Sequence, residues 1–313
     1  MLRYILLRIA ATVPVMAVVA LFVFLLLRLT PGDPAAVIAG DYATAEDIAR
    51  IREQLGLNDP LPYQFITWIG LLLQGNLGTS IFTNLPVTTL IGQRIEPTLM
   101  LALTTIIFSV AVAVPLGAIA AWKAGSLLDR FVMLFSVGGF SVPVFVLGYV
   151  LIYLLSMKLQ ILPVQGYRSP WDGLGPFLAH ITLPTLTLSV IFIALIARMT
   201  RASAIEVLQE DYVRTAYAKG QNEFTILTRH VLANAAVPIV TVIGIGIALL
   251  IGGVVVTESV YNIPGLGRLV LDAVLARDYP IIQGLILFLS FVYIVINLLI
   301  DISYAFLDPR IRY

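Results

Sequence analysis

The chain has 313 residues, of which 59% are hydrophobic and 12% charged, with no cysteine and a formal net charge of +1. A soluble domain averages about 25% charged residues, so water is not the main solvent of this protein. The small net charge argues against nucleic acid as a partner, and the absence of cysteine excludes disulfides, thiolate metal sites and cysteine nucleophiles.

Six stretches contain no Asp, Glu, Lys or Arg and are long enough for a helix to cross ~30 Å of hydrocarbon. They are residues 9–27, 99–122, 131–157, 181–197, 231–257 and 281–300, and the fourth can extend back through Phe177. A charge at the bilayer centre costs ~2.5–3.5 kcal/mol, so its absence over such lengths is a physical signal. The chain therefore reads as an all-α polytopic membrane protein with six transmembrane helices and a large external loop after the first.

The first run follows Arg3 and Arg8 but is too long for a cleavable signal, and no small-x-small site follows it. Residues 1–30 are therefore expected to stay as an anchor. Residues 31–97 form the external region. There Thr44 reads as an N-cap with Asp47 at N3, Ile48, Ile51 and Leu55 share one helical face, and Gly56 stops the helix. This element is expected to be a small cap over the external mouth or, alternatively, a direct contact for a docking partner. Residues 61–93 are also uncharged, but Pro62, Gly75, Asn76, Gly78 and Pro86 interrupt them, and their apolar core from 65 to 73 is half a bilayer long. They are expected to be external or interfacial, not a span.

Residues 98–313 hold the other five helices. Ala113, Gly117, Ala121 and Gly125 recur at four-residue spacing, as do Gly244, Ala248 and Gly252, which suits close helix packing in lipid. Pro14, Pro115, Pro143, Pro184 and Pro238 would kink their helices. Polar positions within the spans include Thr104, Ser109, Ser136, Ser141, Thr187, Thr241, Glu258 and Asn297. They either face a translocation path or bond between helices; Ser141, Thr187, Thr241, Glu258 and Asn297 are the path-lining candidates.

Residues 198–230 form a polar internal loop. Asp211 is a plausible N-cap, Gly220 suits the position after the C-cap, and about two turns of helix lie between. The acids lie at its start and Lys219 at its end, which complements the helix dipole. Thr215, Ala216 and Ala218 are small enough for another protein's groove to approach closely. This segment is either a docking element or a solvated link between two spans.

Placing both termini in the cytoplasm puts eleven basic residues inside and eight outside, or four outside once the long first loop is discounted. No G-x-x-x-x-G-K-[ST], H-E-x-x-H or G-x-S-x-G occurs, and His180 and His230 fall on opposite sides of the membrane. No enzyme site, cofactor site or metal site is expected in this chain. A secondary transporter would show broken spans and intramembrane charges, whereas Arg28, Glu258 and Asp301 lie at span ends. A scaffold would not need the polar loop.

Several motifs, in order, resemble the dipeptide/oligopeptide and nickel permease family of ABC importers, specifically the first of its two permease subunits. They are Arg28-Leu29-Thr30-Pro31-Gly32-Asp33-Pro34, Leu55-Gly56-Leu57-Asn58-Asp59-Pro60-Leu61 and Gly75-Asn76-Leu77-Gly78-Thr79-Ser80. Asp211 to Gly220 looks like the family's EAA loop, although Arg214 and Thr215 stand where the general consensus has Glu and Ala. It continues to Arg229-His230 and Asn234 to Pro238. Tyr261 to Arg268, Arg277 to Pro280 and Asp308 to Arg312 complete the series.

The resemblance implies a type I ABC importer permease fold and a heterodimer with a second, similar permease. Two cytoplasmic ATPase subunits would bind ATP and Mg, and an extracytoplasmic binding protein would deliver short peptides. Nickel chelate or glutathione is the alternative cargo on the same architecture. Asp211, Arg214, Thr215, Ala216, Ala218, Lys219 and Gly220 would form the coupling helix gripped by an ATPase. The implied location is the inner (plasma) membrane.

Overall fold

A computed structural model describes residues 2–29, 34–39, 43–54 and 56–307. Leu55, residues 30–33 and residues 308–312 of the motifs above lie outside the described residues.

The elements run in order as α1 (Leu2–Leu29), α2 (Pro34–Ala39), α3 (Ala45–Gln54), α4 (Leu61–Leu73), α5 (Val87–Trp122), α6 (Leu127–Ser141) and α7 (Val144–Leu151). A π-helical turn, Ile152–Lys158, continues α7. Then come α8 (Leu174–Leu208), α9 (Asp211–Ala218), α10 (Glu223–Thr225) with a second π-helical turn Ile226–Leu232, α11 (Ala236–Val260), α12 (Leu266–Ala276) and α13 (Tyr279–Leu307). Among the described residues, α1, α5, α8 and α13 are each long and apolar enough to cross a membrane, and two bent pairs bring the count to six if each is one span.

The two bends lie at or beside Pro143 and Pro238, where the sequence predicts kinks, and they correct the expectation that the third and fifth spans are unbroken. Leu127–Ser141 and Val144–Lys158 meet at 104°, and Glu223–Leu232 and Ala236–Ala248 meet at 66°. The first bend has a local cause. Pro143 lacks an amide hydrogen, and it drives Val142 out of the helical region to φ −94°, ψ 121°. Broken spans therefore do not separate this chain from a secondary transporter, contrary to the sequence criterion.

The helices also outrun the charge-free stretches. The 36 residues of α5 span ~54 Å, and α8 carries Arg198, Arg201 and Glu206. A charge marks where the hydrocarbon ends, whereas the helix continues into water as long as its backbone bonds are kept.

The chain divides into two compact units, Pro97–Gly267 with Ile296–Tyr313 and Leu2–Glu96 with Arg268–Val295. In the first, α8 is the central helix, and close approach to it requires glycine at two places. A Cβ on Gly117 of α5 would lie 2.5 Å from the Ala197 carbonyl oxygen and 2.7 Å from Thr200 Cβ. A Cβ on Gly139 of α6 would lie 3.1 Å from Ala194 Cβ. The stripe of Ala113, Gly117 and Ala121 is thus a packing face. Gly125 falls outside it, in a turn at φ +83°.

In the second unit, Phe24 of α1 packs against Phe65 and Trp68 of α4 at ring separations of 5.1 and 5.6 Å. Arg28 donates to Gln64 Oε1 at 2.8 and 3.0 Å. The 13-residue α4 is too short to span, as the sequence indicated, and it packs against α1. Thr44 and Asp47 form the expected reciprocal cap on α3, with Asp47 N–H donating to Thr44 Oγ1 at 3.2 Å and Thr44 N–H to Asp47 Oδ2 at 3.3 Å. Those hydrogen bonds, with Arg50 nearby, hold the Asp47 carboxyl below its ordinary pKa. Ser80 Oγ donates to Asp278 Oδ2 at 2.6 Å, tying residues about two hundred positions apart.

Candidate coupling site and translocation path

The sequence of α9, Asp-Tyr-Val-Arg-Thr-Ala-Tyr-Ala, places Val213 and Ala216 three residues apart and hence on one face. Both are buried, at 0% and 5% exposure, in a cluster with Ala121, Ala204, Ile226 and Val231. Trp122, Ile205, Val207, Leu208 and Leu227 pack around it. Burial of Val213 alone contributes ~1.5–3 kcal/mol to holding α9 in place. The helix is thus seated on the ends of α5 and α8 and on the second π-helical turn.

The same face corrects the sequence assignment of Ala216. It is small because its own chain packs against it, so it is not available to a partner's groove. Asp211, Arg214, Thr215, Ala218, Lys219 and Gly220 are exposed, as are Tyr212 and Tyr217. Tyr217 packs against Trp122 with ring planes tilted by 32° and centroids 6.0 Å apart. Burial, and then Glu210, raises the Tyr212 pKa; burial, and then Glu223, raises that of Tyr217. Both phenols therefore stay neutral hydrogen-bonding groups near neutral pH.

The helix ends are defined by backbone geometry. Glu210, in extended conformation at φ −69° and ψ 143°, holds the N-cap position, and Asp211 is the first helical residue, which corrects the expected cap. Neither supplies a side-chain cap bond, but Asp211 Oδ1 receives Arg214 Nη1 at 3.4 Å. At the other end Gly220 takes φ +75° after the C-cap Lys219. Gly220 N–H donates to Tyr217 O at 2.9 Å and Gln221 N–H to Ala216 O at 3.3 Å, the paired bonds of a Schellman stop. Gln221 Oε1 then lies 2.7 Å from His230 Nε2, tying the exit of α9 to the π-helical turn.

The path candidates separate by burial. Thr187 and Glu258 are 1% and 0% exposed, so in this conformation they face other helices of the same chain and not an open path. Thr187 Oγ1 lies 2.7 Å from the Tyr261 hydroxyl, which also reaches Gly148 O at 3.3 Å. Glu258 Oε1 accepts from Thr98 Oγ1 at 2.5 Å. A Cβ on Gly265 would overlap the Glu258 carboxylate, and one on Gly267 would reach it at 3.0 Å, so this glycine pair makes room for a buried acid. Ser141 and Thr241 donate back to Val137 O and Val237 O in their own helices. Ser141 is exposed, while Thr241 and Asn297 are half-buried.

Among the other polar span positions, Ser136 donates to Val132 O, Thr104 pairs with Thr185 at 2.8 Å, and Ser109 is buried. His180 sits against Pro176 O, and no cluster of metal-binding side chains occurs among the described residues.

Sequence reasoning missed one charged pair. Asp129 in the first turn of α6 meets Arg201 of α8 in a two-pronged ion pair, with Arg201 Nε on Oδ1 and Nη2 on Oδ2, the latter at 2.7 Å. Ser126, three residues before Asp129, signalled only the start of α6, which its hydroxyl caps through Asp129 N–H at 3.3 Å; nothing in the sequence pointed to Arg201.

Residues 113–313 match the family described as binding-protein-dependent transport system inner membrane component, and residues 1–102 match its N-terminal counterpart. A probable peptide ABC transporter permease of Sinorhizobium fredii is 56% identical over 310 residues, covering 99% of both chains. A glutathione transport system permease of Salmonella typhimurium is 44% identical and a putative peptide transport system permease of Brucella abortus 42%, each over the full length of both chains. The solved inward-facing MetNI methionine ABC transporter shares the fold at a TM-score of 0.58 and 16% identity, covering 71% of this chain and 97% of that one. The chain belongs to the binding-protein-dependent transport system inner membrane components and is a multi-pass, non-enzymatic permease subunit of an ABC importer.

Proposed function

We propose that this permease carries short peptides, and that α9 is the element through which a cytoplasmic ATPase drives it. The observation that carries the coupling role is the division of α9 into two faces. Val213 and Ala216 seat it on the ends of α5 and α8 and on the second π-helical turn, while Tyr212, Arg214, Thr215, Ala218 and Lys219 stay exposed on an eight-residue helix. A solvated link between spans has no need of a fixed inner face. The peptide cargo is supported by the full-length similarity to peptide permeases. The 44% identity to a glutathione permease favours glutathione, itself a tripeptide, as a second cargo.

In this arrangement both termini are cytoplasmic, in keeping with the excess of basic residues on that side. A second, similar permease completes the path in the inner membrane, and an extracytoplasmic binding protein loads it. Two ATPase subunits hold ATP and Mg, and their closure moves α9. Ser141, Thr241 and Asn297 remain the candidates to line the path. The test is uptake of labelled dipeptides and of glutathione into vesicles holding the complete complex. ATP-dependent accumulation supports the proposal, and failure of both cargoes to accumulate while ATP is hydrolysed contradicts it.

A further inference from the structure

We infer that the Asp129–Arg201 pair is the joint through which movement of α9 reaches the bent pair α6–α7. The inference rests on α9 being the coupling helix and adds residues to it. Arg201 lies one helical turn before Ala204, which packs in the cluster that seats α9. Whatever shifts α9 therefore shifts the C-terminal third of α8. At the same level Gly117 holds α5 against Ala197 and Thr200, too closely for a methyl group to fit.

Asp129 is nearly fully buried, whereas Arg201 is partly so. The carboxylate receives both prongs of the guanidinium and also the Gly125 amide at 2.8 Å. Ser126 Oγ in turn receives the Asp129 amide at 3.3 Å. The start of α6 is thus fixed to α8 by directed bonds, and a two-pronged pair resists rotation as well as sliding. Apolar contacts along α6 and α8, such as Gly139 on Ala194, can slip; the ion pair cannot do so without leaving a buried charge alone. Movement carried along α6 is then released at the Val142–Pro143 bend, where no helical hydrogen bond crosses the break.

The test uses the complete complex and exploits the cysteine-free sequence. Spin labels replace exposed Tyr149 on α7 and exposed Phe224 beside α9. Their separation is measured by pulsed electron resonance with and without a non-hydrolysable ATP analogue, in the native pair, in Asp129→Asn, in Arg201→Met and in the double variant. A single variant leaves a partner uncompensated and is expected to lower the yield of folded protein. The double variant is expected to recover that yield.

In the double variant the nucleotide-driven change in separation is expected to fall to less than a tenth of its native size, while ATPase subunits still co-purify and hydrolyse ATP. A change of native size in the double variant overturns the inference and reduces the pair to a structural brace. Failure of the ATPase subunits to co-purify with the native pair overturns instead the role of α9, and this inference with it.

Discussion

The hydroxyl of Thr98 in α5 donates to the carboxylate of Glu258 near the end of α11 at 2.5 Å and accepts the Leu266 amide at 2.8 Å. One side chain thus joins two long helices and the first residue of α12. Thr98→Val removes the donor while keeping the volume, leaving the buried acid with one partner fewer. The expected loss is about 1–3 kcal/mol. Glu258→Gln retains an acceptor oxygen and is expected to cost less. Thermal unfolding of detergent-solubilised protein, followed by size-exclusion fluorescence, ranks the two.

Two glycines of the first unit predict opposite outcomes from the same substitution. Gly117→Ala forces a methyl group onto the Ala197 carbonyl and Thr200, and is expected to cost 1–3 kcal/mol, the usual cost of overpacking. Gly138→Ala, in α6, meets nothing within 4 Å and is expected to stabilise by roughly 0.5–1 kcal/mol through helix propensity. Melting temperatures that move in the same direction for both would contradict the packing described for α8.

The faces of α9 predict a second pair. Ala216→Arg buries a charge against Ala204 and Val231 and is expected to destabilise the folded protein itself. Ala218→Arg projects from the exposed face and is expected to leave the stability within about 0.5 kcal/mol of native while abolishing co-purification of the ATPase. Gly220→Pro cannot adopt φ +75° and removes the amide that donates to Tyr217, so it is expected to unseat the end of α9. Yield, melting temperature and ATPase recovery, measured together, separate these outcomes.

A pH effect is expected at α3. The Thr44 hydrogen bonds lower the Asp47 pKa from its ordinary value of 3.8, so the stability they supply is complete above that value. It is lost as pH falls through the lowered folded-state value. Amide exchange in α3 should therefore accelerate on acidification below about pH 4, and Thr44→Ala should flatten that response. Equal acid sensitivity in the native protein and in Thr44→Ala would show that the cap is not its source.

Much of this was legible in the residues. Among the described residues, charge-free runs fell on the four long apolar helices and on the two bent pairs because a lone charge in hydrocarbon is costly, and the positive-φ glycines Gly56 and Gly220 ended their helices where expected. Three features were not legible. The 104° bend at Val142–Pro143 looks in sequence like the tolerated prolines Pro14, Pro115 and Pro184, which stay inside continuous helices; only packing decides between a kink and a break. The inward face of Ala216 depends on Ala204 and Ile226, which are distant in the chain or beyond a turn. Arg201 was read as a cytoplasmic loop charge because its partner Asp129 lies 72 positions away.

Cross-linking from Ala218→Cys in the assembled complex tests the coupling role of α9 most directly, since this chain has no native cysteine to compete. A short thiol-to-amine cross-linker is expected to join this position to an ATPase subunit, and adding the ATPase should shield it from soluble maleimide. Full maleimide reactivity in the presence of the ATPase, with no cross-linked product, would contradict it.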